Sequence, residues 1–214
     1  KNGKSSINGY LEDYAAVIDA YITMYECTMN EEWLQISKNL MDYCFAHFFN
    51  KTTHMFFFTS DMDESLITRK TEIHDNVIPA SNSIIARNLF KLGHYFHDKS
   101  YGKTAHKMLN NVKQELQEYP SGYSNWLQLY TDISSSFFEV AIVGKNAQEK
   151  INEIQQHYLP NKLIAASNID SDLPLLKHRY QSEKTLIYVC VDGTCKLPVF
   201  SSEEAISQMK DSKN

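Results

Sequence analysis

No stretch of this sequence approaches the roughly 20 uninterrupted apolar residues that a bilayer core demands. Its longest greasy runs are broken by Asp, Lys or Asn within a few positions. The expectation is a soluble chain with no membrane partner. A basic block is missing too: 21 Lys and Arg stand against 26 Asp and Glu, net charge −5 over 214 residues, so nothing is placed to neutralise a run of phosphates. That disfavours nucleic acid as a partner. Cys27, Cys44, Cys190 and Cys195 are too few and too scattered for a disulfide-built scaffold, so reduced thiols and a cytoplasmic setting are expected. No Cys-x-x-Cys occurs, which removes a thioredoxin-type dithiol. No second Cys or His pair has the spacing of a four-ligand zinc site, so no metal is expected, and no cofactor is called for. The sequence opens at Lys1 with neither methionine nor apolar leader, as expected of a processed or partial chain.

What is present reads as ordinary globular composition, 43% hydrophobic and 22% charged. In "YLEDYAAVIDAYITMYECT" the apolar Leu11, Tyr14, Ala15, Ile18, Ile22 and Tyr25 recur at spacings of three and four, the mark of an amphipathic helix. "NEEWLQISKNLMDYCFAHFF" repeats the pattern behind Asn30 and acidic residues suited to a helix start. "HMFFFTS" has strand character, and the acidic "DMDESLIT" after it reads as a loop or hairpin. Helices resume beyond Pro79, with Ile84, Ile85, Leu89, Leu92 and Phe96 along one face, then from Ser100 to Tyr119, then after Pro120. About five helices in consecutive hairpins result.

Near Ser135 the composition changes. "FFEVAIVG", "NAQEKINEIQQHY", "NKLIAAS" and "TLIYVCVDG" read as strand, helix, strand and strand, which suggests a βαβ unit with a parallel pair. The fold class expected is mainly α: α/α hairpins over 1–135 with a small C-terminal α/β unit over 136–214.

Three segments carry more than local structure: "GYLEDYA" at Gly9, "TEIHDNVIPASNS" at Thr71, and the tail with "LPNKLI" and "IYVCVDGTC". Their order and spacing resemble the C-terminal portion of the thioredoxin-domain family related to spermatogenesis-associated protein twenty. That pattern has a Gly-x-Leu-x-Asp-Tyr-Ala helix, an Ile-Pro-Ser-like-Asn-Ser motif and a terminal Tyr-Val-Cys strand. The resemblance implies a partial (α/α)6 toroid, similar to N-acylglucosamine 2-epimerase and six-hairpin glycosidases. It also implies a thioredoxin-like domain and first hairpins that lie upstream and are absent here. His74 stands where that pattern has tyrosine and Asn76 where it has glycine.

The implied chemistry is carbohydrate handling. Epimerisation needs a base and an acid across a cavity, usually imidazoles, and glycoside hydrolysis needs two flanking carboxyls. The eight histidines offer no paired spacing. In a toroid successive inner helices start at one rim, so Glu72, His74 and Asp75 become candidate catalytic residues, with Asp13, Tyr14, Ser81 and Asn82 as substrate-binding candidates. A purely structural account of the same residues has Asp13 and Asp75 capping backbone amides, Tyr14 in the core, and Ser81 and Asn82 satisfying a first helical turn. The other class of function is a noncatalytic scaffold for the upstream domain. A half-built toroid exposes apolar hairpin faces, to be covered by missing hairpins, that domain or a second copy of the chain.

Cys190 and Cys195 flank "VDGT", a turn that returns one toward the other. Disulfide, metal ligation and free thiols are all open to them. The expectation is a close pair, reduced in the cytoplasm and oxidisable outside it, joined through a four-residue hairpin loop.

Overall fold

The computed structural model describes residues 3, 7–64 and 67–210; Ser65 and Leu66 of the acidic loop lie outside the described residues. The architecture is mainly α with a small α/β unit. The chain divides into two compact units. The first comprises Lys1–Thr23, Glu32–Gly93 and Lys99–Tyr130, and the second Met24–Glu31, His94–Asp98 and Thr131–Asn214.

Unit 1 is built from α1 (Leu11–Thr28, as far as Thr23), α2 (Glu32–His47), α3 (Ser81–Tyr95, as far as Gly93), α4 (Lys99–Asn111), α5 (Lys113–Glu118) and α6 (Ser124–Ser134, as far as Tyr130). α1 forms where the periodicity puts it, and Leu11, Ala15, Ile18 and Ile22 are fully buried. Its start is fixed by Asp13, whose Oδ2 accepts from the Tyr10 amide at 2.8 Å, the acidic half of a capping box. The stretch from Ser100 to Tyr119 does not run as one helix. Val112, at φ −106° and ψ 6°, separates α4 from α5, and a 3-10 turn over Pro120–Tyr123 leads into α6.

The aromatic run "HMFFFTS" is not a strand. Phe56 forms only a single bridge to Phe49, because the backbone of Phe56 finds its other partner in a side chain, Asn82. Polar ties hold the helices in register: Asn88 Nδ2 donates to the Ala15 carbonyl at 2.9 Å and Tyr101 to Asp42 at 2.8 Å.

Unit 2 contains a four-stranded sheet in the order β2-β1-β3-β4, with β1 Phe138–Val143, β2 Lys162–Ser167, β3 Leu186–Val191 and β4 Thr194–Cys195. β1 and β2 are parallel and joined through α7 (Ala147–Gln155), as the βαβ pattern predicts; β3 is antiparallel to β1. Phe138, Val140, Ile142, Ile164, Ile187 and Val189 form one buried face with Ile151 and Ile154 of α7. Ala205, Ile206 and Met209 complete it from α8 (Ser202–Lys210), a helix that the periodicity above does not include. Gly144, at φ +129°, ends β1; a Cβ there would collide with the Lys184 carbonyl and Thr185.

The short segments Met24–Glu31 and His94–Asp98 belong with this sheet for a specific reason. β2 is an edge strand whose outward backbone groups need partners. The Tyr25 hydroxyl accepts from the Ala166 amide at 3.1 Å and faces its carbonyl, while the Tyr95 hydroxyl lies 3.0 Å from the Ile164 carbonyl. Burial raises both phenols, so they stay protonated donors.

Cys190 and Cys195 are joined in a disulfide with Cα atoms 3.9 Å apart, in place of the reduced thiols expected. The register explains it: they are directly opposed on β3 and β4, and the Lys196 amide bonds to the Val189 carbonyl just beyond them. That makes the cysteines a non-hydrogen-bonded pair, where side chains approach most closely. The hairpin loop is two residues rather than four. Asp192 at φ 50° and Gly193 at φ 74° make a type I′ turn, with Val191 and Thr194 already paired.

Candidate functional site

The segment 71–83 enters unit 1 beside two helix starts. Asp75 reaches both. Its Oδ1 accepts from the Ala80 amide at 2.9 Å and the Ser83 hydroxyl at 2.7 Å, at the opening of α3. Its Oδ2 accepts from the Asn125 amide at 2.8 Å, in the first turn of α6. A carboxylate is the right group here, because both helix starts present unsatisfied amides and partial positive charge. The Asp75 amide donates in turn to the Gly122 carbonyl at 2.8 Å, so the loop is stitched to the 3-10 turn by side chain and backbone together.

Glu72 is also engaged with α3, since its Oε2 accepts from the Ser81 amide at 3.0 Å. His74, between the two acids, is exposed and lies with its ring 5.2 Å from that of Tyr123. Next to it the Trp126 indole donates to the Ile73 carbonyl at 2.8 Å. Ser81 is buried, and its hydroxyl has no hydrogen-bond partner among the described residues. Asn82 is fully buried; its Oδ1 accepts from the Phe56 amide at 2.8 Å, and its Nδ2 donates to the carbonyls of Phe56 and Glu72, both at 2.9 Å.

Asp13 and Tyr14 line a shallow cleft of about 150 Å³ with Gly9, Val17 and Leu40. Tyr14 stacks on Tyr43 at 5.1 Å, and burial with the Tyr43 hydrogen bond pushes its phenol up to about 12, so it remains protonated at neutral pH. A larger cleft of about 380 Å³ is lined by Thr52, Thr53, His54, Thr71, Ile73 and Asn111, with Met55 and Val112 at its base. The two clefts share no lining residue. Thr71 and Ile73 carry the 71–83 segment into the larger one.

Residues that sequence reasoning did not single out complete the network. The Asn125 side-chain amide donates to Ser83 at 2.8 Å and its oxygen accepts from Arg87 at 2.7 Å. Asn125 lies 50 positions from Asp75, with no spacing rule to join them. The "SNW" start of α6 was its one signal, a polar residue ahead of a buried tryptophan.

No family model matches the sequence. The chain is 24% identical over 214 aligned positions to uncharacterized protein B0495.5 of Caenorhabditis elegans, covering 95% of this chain and 29% of that protein. It is 22% identical over 203 positions to spermatogenesis-associated protein 20 of Homo sapiens and 22% over 211 to that of Rattus norvegicus, each covering 89% of this chain and 26% of the relative. These similarities support the relationship drawn from "GYLEDYA" and "IPASNS". The chain spans less than a third of the length of the curated relatives it matches.

Proposed function

We propose that this chain is a noncatalytic module of a longer carbohydrate-handling protein, giving one wall of a pocket for a hydroxyl-rich small molecule. Any epimerase-like or glycosidase-like chemistry would use groups elsewhere in that protein. The carrying observation is the engagement of Asp75 and Glu72, which are held on the amides of Ala80, Asn125 and Ser81. A carboxylate whose oxygens are taken up by the amides of its own fold is poorly placed to reach a substrate proton. Beside them the 380 Å³ cleft offers hydroxyls, an amide and an imidazole over an apolar floor, a lining suited to sugar hydroxyls and C–H faces.

The test uses the full-length protein against mono- and disaccharides, read by thermal shift and by epimer-resolved chromatography. Asn111→Leu is expected to weaken sugar binding, while Glu72→Gln lowers the melting temperature and leaves any turnover in place. Loss of turnover in Glu72→Gln at unchanged melting temperature would return the acid to a catalytic role. Absence of sugar binding by a folded sample sinks the carbohydrate part of the reading.

A second reading, an interaction module for the rest of the longer protein or for a second copy, draws on Val77 and Ile78. They are adjacent, apolar and 96% and 63% exposed. Val77→Ser with Ile78→Ser should then change the oligomeric state or the stability gained from the remaining segments, measured by light scattering and melting.

A further inference from the structure

Outside the helical unit, reactive side chains gather on one face of the sheet. Glu139, Cys190 and Cys195 are register partners on β1, β3 and β4, so they form a row across one face of the sheet, opposite the face packed on α7 and α8. Arg179 joins that row. Its Nη1 lies 3.4 Å from the Cys190 sulfur and its Nη2 3.3 Å from the Cys195 sulfur, so one guanidinium spans the bridge. It is held there by stacking on Tyr188, 4.9 Å from the ring centroid. Glu139 is 4% exposed and hydrogen-bonded to His94 at 2.6 Å.

Two features separate this bridge from a structural staple. A disulfide stabilises mainly by closing a long loop, and this one encloses four residues of a hairpin that a type I′ turn and the Val191–Thr194 pair already close. Its two sulfurs are also unequal in access: Cys190 is 1% exposed, whereas Cys195 is exposed on the short edge strand β4.

We propose that Cys190 and Cys195 form a dithiol–disulfide exchange site, with Arg179 as the positioning residue that stabilises the departing thiolate. The substrate class is a dithiol, small or carried by a protein. A thiolate of that dithiol attacks the Cys195 sulfur; the Cys195–Cys190 bond breaks, and its electron pair leaves on the Cys190 sulfur beside Nη1. The second thiolate of the reductant then attacks the mixed disulfide at its own sulfur. That frees Cys195 as a thiolate beside Nη2 and closes the reductant into a disulfide. Two electrons pass to the protein, and its two thiolates take up protons from solvent according to pH. In reverse the bridge oxidises a partner dithiol. A cation beside both sulfurs lowers thiol pKa values and improves each as a leaving group.

The test equilibrates the intact chain under native conditions with mixtures of reduced and oxidised dithiothreitol, followed by acid quench, alkylation and peptide mapping. Cys44, a buried free thiol, serves as the non-exchanging control, and Cys27, exposed and free, as the reference for an ordinary thiol. Reduction of the bridge within minutes is expected, together with a pH profile of Cys195 alkylation in the reduced chain that turns below the ordinary thiol value of about 8.5. Arg179→Met should favour the disulfide about tenfold, which is about 30 mV, and move that profile upward; Arg179→Lys should recover part of both. The proposal is overturned by a bridge that resists dithiothreitol in the folded chain, or by a wild-type profile at or above the ordinary value. The wild-type profile decides even if the variants fail to fold. An Arg179→Met chain that folds but leaves equilibrium and profile unmoved removes Arg179 from the site.

Discussion

Asn82 does for Phe56 what a neighbouring strand would do, giving an acceptor to its amide and a donor to its carbonyl. Truncation to alanine leaves both groups buried without partners, together with the Glu72 carbonyl. Asn82→Ala is therefore expected to lower stability by about 2–4 kcal/mol, read from urea unfolding; a loss below about 1 kcal/mol would mean that water replaces the amide. Asp75 acts on the same scale, serving two helix starts with one carboxylate. The sequence marks both residues through "HDNVIPASNS", but only as polar groups before a helix. The partners at Phe56 and Asn125 lie 26 and 50 positions away, beyond any local pattern.

At the scale of elements, β2 is an edge whose outward carbonyls and amide are met by two phenols. Tyr25→Phe keeps the packing and removes the hydroxyl, at an expected cost of about 1–2 kcal/mol with a greater tendency to aggregate, as measured by denaturation and light scattering. β1 carries the one charged residue on an otherwise apolar strand, Glu139. Burial pushes its carboxyl up, but the hydrogen bond and charge of His94, the charge of His97 and the Gly193 amide outweigh burial and hold it below the usual carboxylate range. A depressed carboxyl gives stability that is full above its unfolded value, about 4.3, and is lost as pH falls through the folded value. The melting temperature should thus fall as pH drops from about 4.3, and Glu139→Gln should flatten that fall. Equal acid profiles in the two proteins would discount the His94–Glu139 pair.

On the scale of the whole molecule, the sheet is grouped with chain from well before residue 131. The unit that holds the sheet also includes Met24–Glu31 and His94–Asp98. From these, Tyr25 and Tyr95 cover the edge of β2, and Met29 packs against the sheet core. Residues 131–214 expressed alone are expected to aggregate or to give poorly dispersed amide spectra, whereas the intact chain does not. A monodisperse, well-dispersed 131–214 fragment would refute this. Among the described residues no helix is long and apolar enough to cross a membrane.

The 3.6-residue repeat determined α1, α2 and α3, each of which buries one face, while short apolar runs marked β1, β2 and β3, strands buried over most of their length. The Asp-Gly between apolar runs carried the hairpin and hence the approach of Cys190 to Cys195. Three things were decided only by tertiary structure. "HMFFFTS" became an irregular run because a buried asparagine took the hydrogen bonds a strand would need. Asp75, which caps the Ala80 amide five residues on, also came to serve a second helix start because the Asn125 amide arrives beside it from 50 positions away. Arg179 came to rest on both sulfurs because Tyr188, two residues from Cys190 on the same face, holds its guanidinium there. Local sequence sets which groups must be buried or paired; which partner satisfies each is set by long-range packing.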